Sequence, residues 1–227
     1  MTQAAKPKAK KDGDGLRVLL VDDHDLFRTG LRNLLEEQGV QIVAEAATGA
    51  EALQHVRLAA PDVVVMDLNM PGMTGVEATR QITSIAPLTR VLVLTISDQD
   101  SDVLDAILAG ACGYLLKDSS IQDLMTGIRA ASIGESLISP NIASKVLQRV
   151  RSTSSVPAIA ETIRAELSDR EIEVLKLIAN GKDNAMIAGE LHISPKTVKN
   201  HISNILMKLQ IDNRIQAAVY AVKSGIV

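Results

Sequence analysis

The chain has 227 residues, 46% of them apolar, and a formal net charge of −3, enough for one large domain or two ordinary ones with packed cores. Aromatics make up 1% and Trp is absent, which excludes stacking on aromatic side chains as the main way of holding nucleic acid. A lone Cys112 excludes an internal disulfide and fits a reducing compartment, and no uninterrupted apolar run reaches the roughly 18 residues of a membrane span, so a cytoplasmic protein is expected.

Residues 1–15 carry lysines but no apolar signal core and read as a disordered tail. From residue 16 onward, short β-branched runs alternate with helical patterns. The expected strands are Leu16–Val21, Val40–Ala46, Val63–Asp67, Arg90–Ile96 and Gly113–Leu116. Between and after them lie 3.6-period segments at Leu26–Gln38, Gly49–Ala60, Gly75–Ile85, Asp102–Ala109 and Ser120–Ile133. Five strands alternating with five helices imply a parallel sheet covered on both faces. This α/β domain is bounded at 16–135. A linker, 136–163, follows, with a short helix expected over Asn141–Arg151 and a Ser152-Thr153-Ser154-Ser155-Val156-Pro157 stretch. The last domain, 164–227, reads as four short helices. Ser168 and Glu171 form a capping box, Asp183 caps the second helix, Ser194 and Pro195 open the third, and Asp212 or Asn213 opens the fourth.

Charge divides the same way. Residues 16–130 hold 8 Lys/Arg against 16 Asp/Glu, a net of −8, whereas residues 162–227 hold 9 against 7, a net of +2. The two domains are expected to have different partners.

Ligands collect beyond the carboxyl ends of parallel strands. There the sequence sets Asp22 and Asp23 after Val18–Val21, Asp67 after Val63–Met66, Thr95 at the end of Val91–Leu94, and Lys117 after Tyr114–Leu116. Clustered carboxylates repel unless a cation joins them. Mg²⁺ needs only two or three acids and a carbonyl, because it keeps several waters. Phosphoryl transfer needs a nucleophile, a metal and donors aimed at the phosphoryl oxygens. Asp67 is the expected nucleophile. Asp22, Asp23, Asp67 and the backbone carbonyl of Asn69 are the expected metal ligands. Lys117 and Thr95 are the expected phosphate contacts. Each residue alone is more often a cap, a loop residue or a strand former; their joint placement carries the reading. His24, beside the acids, could tune the site, but an ordinary cap or loop residue is expected there, and Cys112 is expected to be a small buried residue rather than a redox sensor.

Val21-Asp22-Asp23-His24, Met66-Asp67-Leu68-Asn69-Met70-Pro71-Gly72, Leu94-Thr95 and Gly113-Tyr114-Leu115-Leu116-Lys117-Asp118 resemble the receiver domains of two-component response regulators. The resemblance implies a flavodoxin-like five-stranded sheet in the order 2-1-3-4-5. It implies phosphorylation of Asp67 by a sensor histidine kinase. It also implies a coupled switch made by Thr95 and Tyr114, and enzymic activity limited to self-phosphorylation and autodephosphorylation.

In the third helix of the last domain, Val198, Ile202, Ile205, Leu206 and Leu209 recur at helical spacing. The opposite face carries Lys196, Thr197, Lys199, Asn200, Ser203, Asn204 and Lys208, with no acid between Ser194 and Leu209. Such a face suits a major groove, and the preceding helix and turn complete a helix-turn-helix; a solvated amphipathic helix reads the same way. Leu167–Leu175 and Ser194–Ile202 resemble the LuxR-type helix-turn-helix, so the whole chain resembles the NarL/FixJ family. That family implies that Lys196, Thr197, Lys199, Asn200 and Ser203 face double-stranded DNA, although Ser203 stands where many members carry a basic residue. It also implies a homodimer, on DNA or when phosphorylated, through Ile215, Ala218, Val219 and Val222; the same stripe could equally be intradomain core. The transcription machinery is the further partner. The expected resting state has the acidic receiver against the DNA-reading helix. Two rivals remain: a receiver-linked adaptor binding a protein, and a small phosphohydrolase using Asp67. The second lacks the usual acid two places beyond the nucleophile, where Asn69 stands.

Overall fold

A computed structural model describes residues 15–96, 100–138 and 166–226. The N-terminal elements are β1 (Arg17–Val21), α1 (Asp25–Glu37), β2 (Gln41–Ala46), α2 (Gly49–Ala59), β3 (Val63–Met66), α3 (Gly75–Ile85), β4 (Arg90–Thr95), α4 (Asp100–Leu108), β5 (Gly113–Leu116), α5 (Ile121–Ser132) and β6 (Leu137–Ile138). The C-terminal domain holds α6 (Asp169–Ala179), α7 (Asn184–Leu191), α8 (Pro195–Leu209) and α9 (Arg214–Lys223).

Strand order is β2-β1-β3-β4-β5-β6, all parallel. Five strands follow the expected order. The sixth, Leu137–Ile138, lies in what the sequence marks as linker; two residues are too few to show a period. The expected helix over Asn141–Arg151 and the Ser/Pro linker lie outside the described residues.

Period-two alternation decides which helices cover which face. Val18, Leu20, Val63, Val65, Leu92 and Leu94 pack with Leu31 and Leu35 of α1 and Leu124, Met125 and Ile128 of α5. Leu19, Val21, Val64, Met66 and Val91 pack with Ala52, Leu53 and Val56 of α2 and Ala78 and Ile82 of α3. A sheet buried on both faces needs near-continuous apolar strands, and Val63–Met66 is buried throughout.

The C-terminal helices begin where their caps dictate. Ser168 and Glu171 form the reciprocal box, Asp183 accepts from the Met186 N–H, Ser194 accepts from the Thr197 N–H, and Asn213, not Asp212, caps α9. Between α7 and α8, His192 turns the chain in the left-handed region at φ 53°.

The two domains share one apolar cluster. Val103, Ala106, Ile107, Ala111 and Tyr114 of the α/β domain join Val174, Leu175, Ile187, Val198, Ile215 and Val219. Two buried amides stitch the seam: Asn213 Nδ2 donates to the Ala111 carbonyl at 2.9 Å, and Gln216 Nε2 to the Ile107 carbonyl at 3.0 Å.

Candidate functional site

The site grows from the ladder extended one residue past each strand. The Asp22 N–H donates to the Ala46 carbonyl at 3.1 Å, the Asp67 N–H to the Val21 carbonyl at 2.9 Å, and the Lys117 N–H to the Thr95 carbonyl at 2.8 Å. The register Val21↔Met66 sets Asp22 and Asp67 level. Gly75 lets the next turn close over them. A Cβ there would lie 2.0 Å from the Asp67 carbonyl oxygen, so only glycine fits.

Asp67 is 2% exposed and Asp22 is 5% exposed. Two buried carboxylates this close would repel. The Lys117 ammonium lies between them, 2.6 Å from Asp22 Oδ2 and 2.7 Å from Asp67 Oδ2. Burial alone would push the Lys117 amine down; the hydrogen bonds and charges of Asp22 and Asp67 outweigh it and hold the ammonium above its ordinary value. Asp67 Oδ1 also accepts from the Asn69 N–H at 3.3 Å, and Asn69 sits in the same turn. Thr95 and the Tyr114 ring are fully buried. Tyr114 belongs to the cluster shared by the two domains.

Asp22, Asp23, His24 and Asp67 can each offer a ligand atom, all within 4.8 Å of one another. Asp23 Oδ1 is shielded from solvent without a hydrogen-bond partner, a costly state for a carboxylate oxygen. Three carboxylates around such an atom suit a hard divalent cation. This acidic pocket could therefore hold a metal.

Sequence reasoning missed two supports. The Phe27 ring lies under Lys117, with Nζ 4.7 Å from its centroid, a cation–π contact. Arg28 Nη1 donates to the Asp22 carbonyl at 2.6 Å, fixing the backbone of the acidic loop. Both project from the first turn of α1; helical spacing alone could mark only their common face. Cys112 is buried as expected. Burial pushes its thiol up to about 12, against smaller opposing effects of Arg90 and its own backbone N–H.

In the second domain, α8 buries Val198, Ile202, Ile205 and Leu209. Lys196, Lys199, Asn200 and Ser203 are exposed, and Thr197 is half-buried, its hydroxyl 2.8 Å from Ser194 Oγ. The far end of α8 is anchored where Lys208 Nζ donates to Glu171 Oε2 at 2.7 Å. Burial pushes the Glu171 carboxyl up, but the hydrogen bonds from Lys208 and Ser168 outweigh this and hold it below the ordinary carboxylate value. In α9, Ile215, Val219 and Val222 are buried and Ala218 half-buried, all within or against the shared cluster.

The expected contact between the acidic domain and α8 is narrow. Among the described residues, its ion pair is Lys199 Nζ to Glu135 Oε1 at 3.2 Å. The α/β domain instead grips the start of α9, where the buried amides of Asn213 and Gln216 donate to carbonyls at and just after the end of α4. Net charge could not foretell this, because the seam is apolar and hydrogen-bonded.

An acidic pocket at the edge of a parallel sheet, joined through a packed seam to a helix-turn-helix, defines a signal-receiving regulator. Residues 18–129 match the response regulator receiver domain, and residues 165–221 match the bacterial regulatory proteins of the luxR family. The chain is 44% identical over 213 residues to the transcriptional regulatory protein LiaR of Bacillus subtilis, covering 93% of this chain and 99% of that protein. It is 39% identical, over the same shares, to the response regulator protein VraR of Staphylococcus aureus. Among solved structures, the response regulator ChrA of a heme-sensing two-component system is 36% identical with a TM-score of 0.51, covering 94% of this chain and 99% of that one. The chain belongs to the two-component response regulators that join a receiver to a LuxR-type DNA-binding domain.

Proposed function

We propose that Asp67 accepts a phosphoryl group from a sensor histidine kinase and that this event controls binding of double-stranded DNA by α8. The observation that carries the reading is the buried Asp67 carboxylate, held level with Asp22 and 2.7 Å from Lys117. An Asp67 carboxylate oxygen attacks phosphorus, and the bond from phosphorus to the kinase's histidine nitrogen breaks. Lys117 follows the charge onto the phosphoryl oxygens, and the Thr95 hydroxyl donates to one of them. Asp22, Asp23, Asp67 and the Asn69 carbonyl would hold Mg²⁺, which neutralises charge as the phosphoryl group arrives. The receiver also releases the group by hydrolysis, and catalyses nothing further.

Moving Thr95 toward the phosphate leaves room for Tyr114, whose ring lies in the cluster that α9 shares. A shift of Tyr114 loosens the seam, and the population moves toward separated domains. Lys196, Thr197, Lys199, Asn200 and Ser203 then meet DNA. Two copies pair on a two-fold site through the stripe of Ile215, Ala218, Val219 and Val222 and engage the transcription machinery. Among the described residues, no helix is long and apolar enough to cross a membrane, and the cytoplasm is the proposed location.

Gel-shift titration of the full chain, with and without beryllium fluoride and Mg²⁺, tests this. The mimic is expected to raise DNA affinity about tenfold, the usual size of an allosteric coupling, with a steep loss of binding as salt rises. Equal affinity in both states rejects the reading. Salt-insensitive capture of a protein in place of DNA favours an adaptor.

A further inference from the structure

His24 stands at the N-cap of α1, where Ser, Thr, Asp or Asn normally satisfies a backbone donor. Its side chain makes no capping bond. The ring turns toward the acids. Nδ1 lies 2.8 Å from Asp23 Oδ1 and 3.3 Å from Asp22 Oδ1. Asp23 Oδ1 has no hydrogen-bond partner. The backbone N–H of His24 donates to Asp22 Oδ1 at 2.9 Å, which fixes the imidazole's root at the rim of the pocket.

The distances suit one ion. Opposed ligands of an octahedral cation with bonds of about 2.0–2.1 Å lie roughly 4.2 Å apart. The four candidate ligand atoms fall within 4.8 Å of one another, close to that span. The His24 side chain is 67% exposed, and no packing opposes a small adjustment of the ring. With Nδ1 as ligand, the ring carries its proton on Nε2.

We propose that His24 is a nitrogen ligand to the divalent-cation site, and that it biases the site toward late first-row transition cations over Mg²⁺. This rests on the cation site proposed above. Carboxylate oxygens suit Mg²⁺, whereas imidazole suits Ni²⁺, Cu²⁺ and Zn²⁺, among which affinity for a given site is highest for Cu²⁺. A pocket of oxygens alone would discriminate less.

Calorimetric titration of the full, unphosphorylated chain with Ni²⁺ and with Mg²⁺ tests the assignment without reference to phosphorylation. The wild type is expected to bind Ni²⁺ at least about tenfold tighter than Mg²⁺. His24→Ala is expected to lose about tenfold or more of the Ni²⁺ affinity while Mg²⁺ affinity changes by less than about threefold. Asp23→Asn should weaken both cations. Wild-type Ni²⁺ affinity in His24→Ala, with Asp23→Asn still weakening both cations, overturns the histidine assignment and leaves the carboxylate site standing. If neither cation binds the wild type, or Asp23→Asn changes neither, the carboxylate site falls and the histidine assignment with it.

Discussion

At the scale of single residues, each buried carboxylate among the described residues (Asp22, Asp67 and Glu171) has a lysine partner. Asp22 and Asp67 share Lys117, and Glu171 serves both Ser168 and Lys208. The second cluster gives a pH test. The folded Glu171 carboxyl lies below its unfolded value of 4.5. Its stabilisation is therefore fully present above about pH 4.5 and is lost as pH falls through the lower folded value. Glu171→Gln should cost about 1–2 kcal/mol in urea unfolding at pH 7, the size of a charge-assisted hydrogen bond to a partly exposed lysine. The gap between variant and wild type should close as pH falls through that lower value. A gap of constant size across that range contradicts the assignment. The sequence displayed Asp22, Asp23, Asp67, Thr95 and Lys117, because strand ends are visible as boundaries between apolar runs and polar residues. Phe27 and Arg28 were not visible, because which side chain of a helix's first turn reaches the next loop depends on the angle at which that helix crosses the sheet.

At the scale of elements, the fold is legible wherever a period runs long enough. The alternation of β1 to α5 follows from runs of four or more residues, and the C-terminal helices follow from their caps. A two-residue strand, Leu137–Ile138, offers no period, and its pairing with β5 comes only from the path of the chain after α5. The loop from β3 to α3 is the element most exposed to a single change. Its closure needs Gly75, whose Gly75 N–H donates to the Leu68 carbonyl at 3.0 Å. Gly75→Ala places a methyl against the Asp67 carbonyl, so the loop must move away and take the Asp67 backbone with it. Overpacking of this kind costs about 1–3 kcal/mol. Urea unfolding should show that loss, and uptake of phosphate from a small phosphodonor should slow in the refolded variant. A variant with wild-type stability and uptake contradicts the steric argument.

At the scale of the whole molecule, α9 belongs to two interfaces at once. One side completes the core of its own domain, and its first turn docks on the receiver through Asn213 and Gln216. Composition foretold two domains of opposite charge but not their seam, because amide-to-carbonyl bonds leave no trace in a charge count. Asn213 has two tasks that one substitution separates. Its Oδ1 caps α9 by accepting from the Ile215 and Gln216 N–H groups, while its Nδ2 donates to Ala111. Asn213→Asp keeps the cap and removes the donor, and it sets a carboxylate against a carbonyl. Docking should weaken by about 1–3 kcal/mol, the cost of leaving a buried polar group unmet. The radius of gyration from small-angle X-ray scattering should rise, and DNA affinity without phosphate should rise with it. An unchanged radius and affinity would mean that the seam does not restrain the second domain.

Whether Asp67 is the residue that carries the signal is read most directly by intact mass. The full chain is incubated with a small phosphodonor and Mg²⁺, and weighed before and after treatment with hydroxylamine, which cleaves acyl phosphates. The wild type should gain the mass of one phosphoryl group and lose it to hydroxylamine, and Asp67→Asn should gain none. Equal labelling of Asp67→Asn, or a wild-type adduct that survives hydroxylamine, would contradict phosphorylation at this carboxylate.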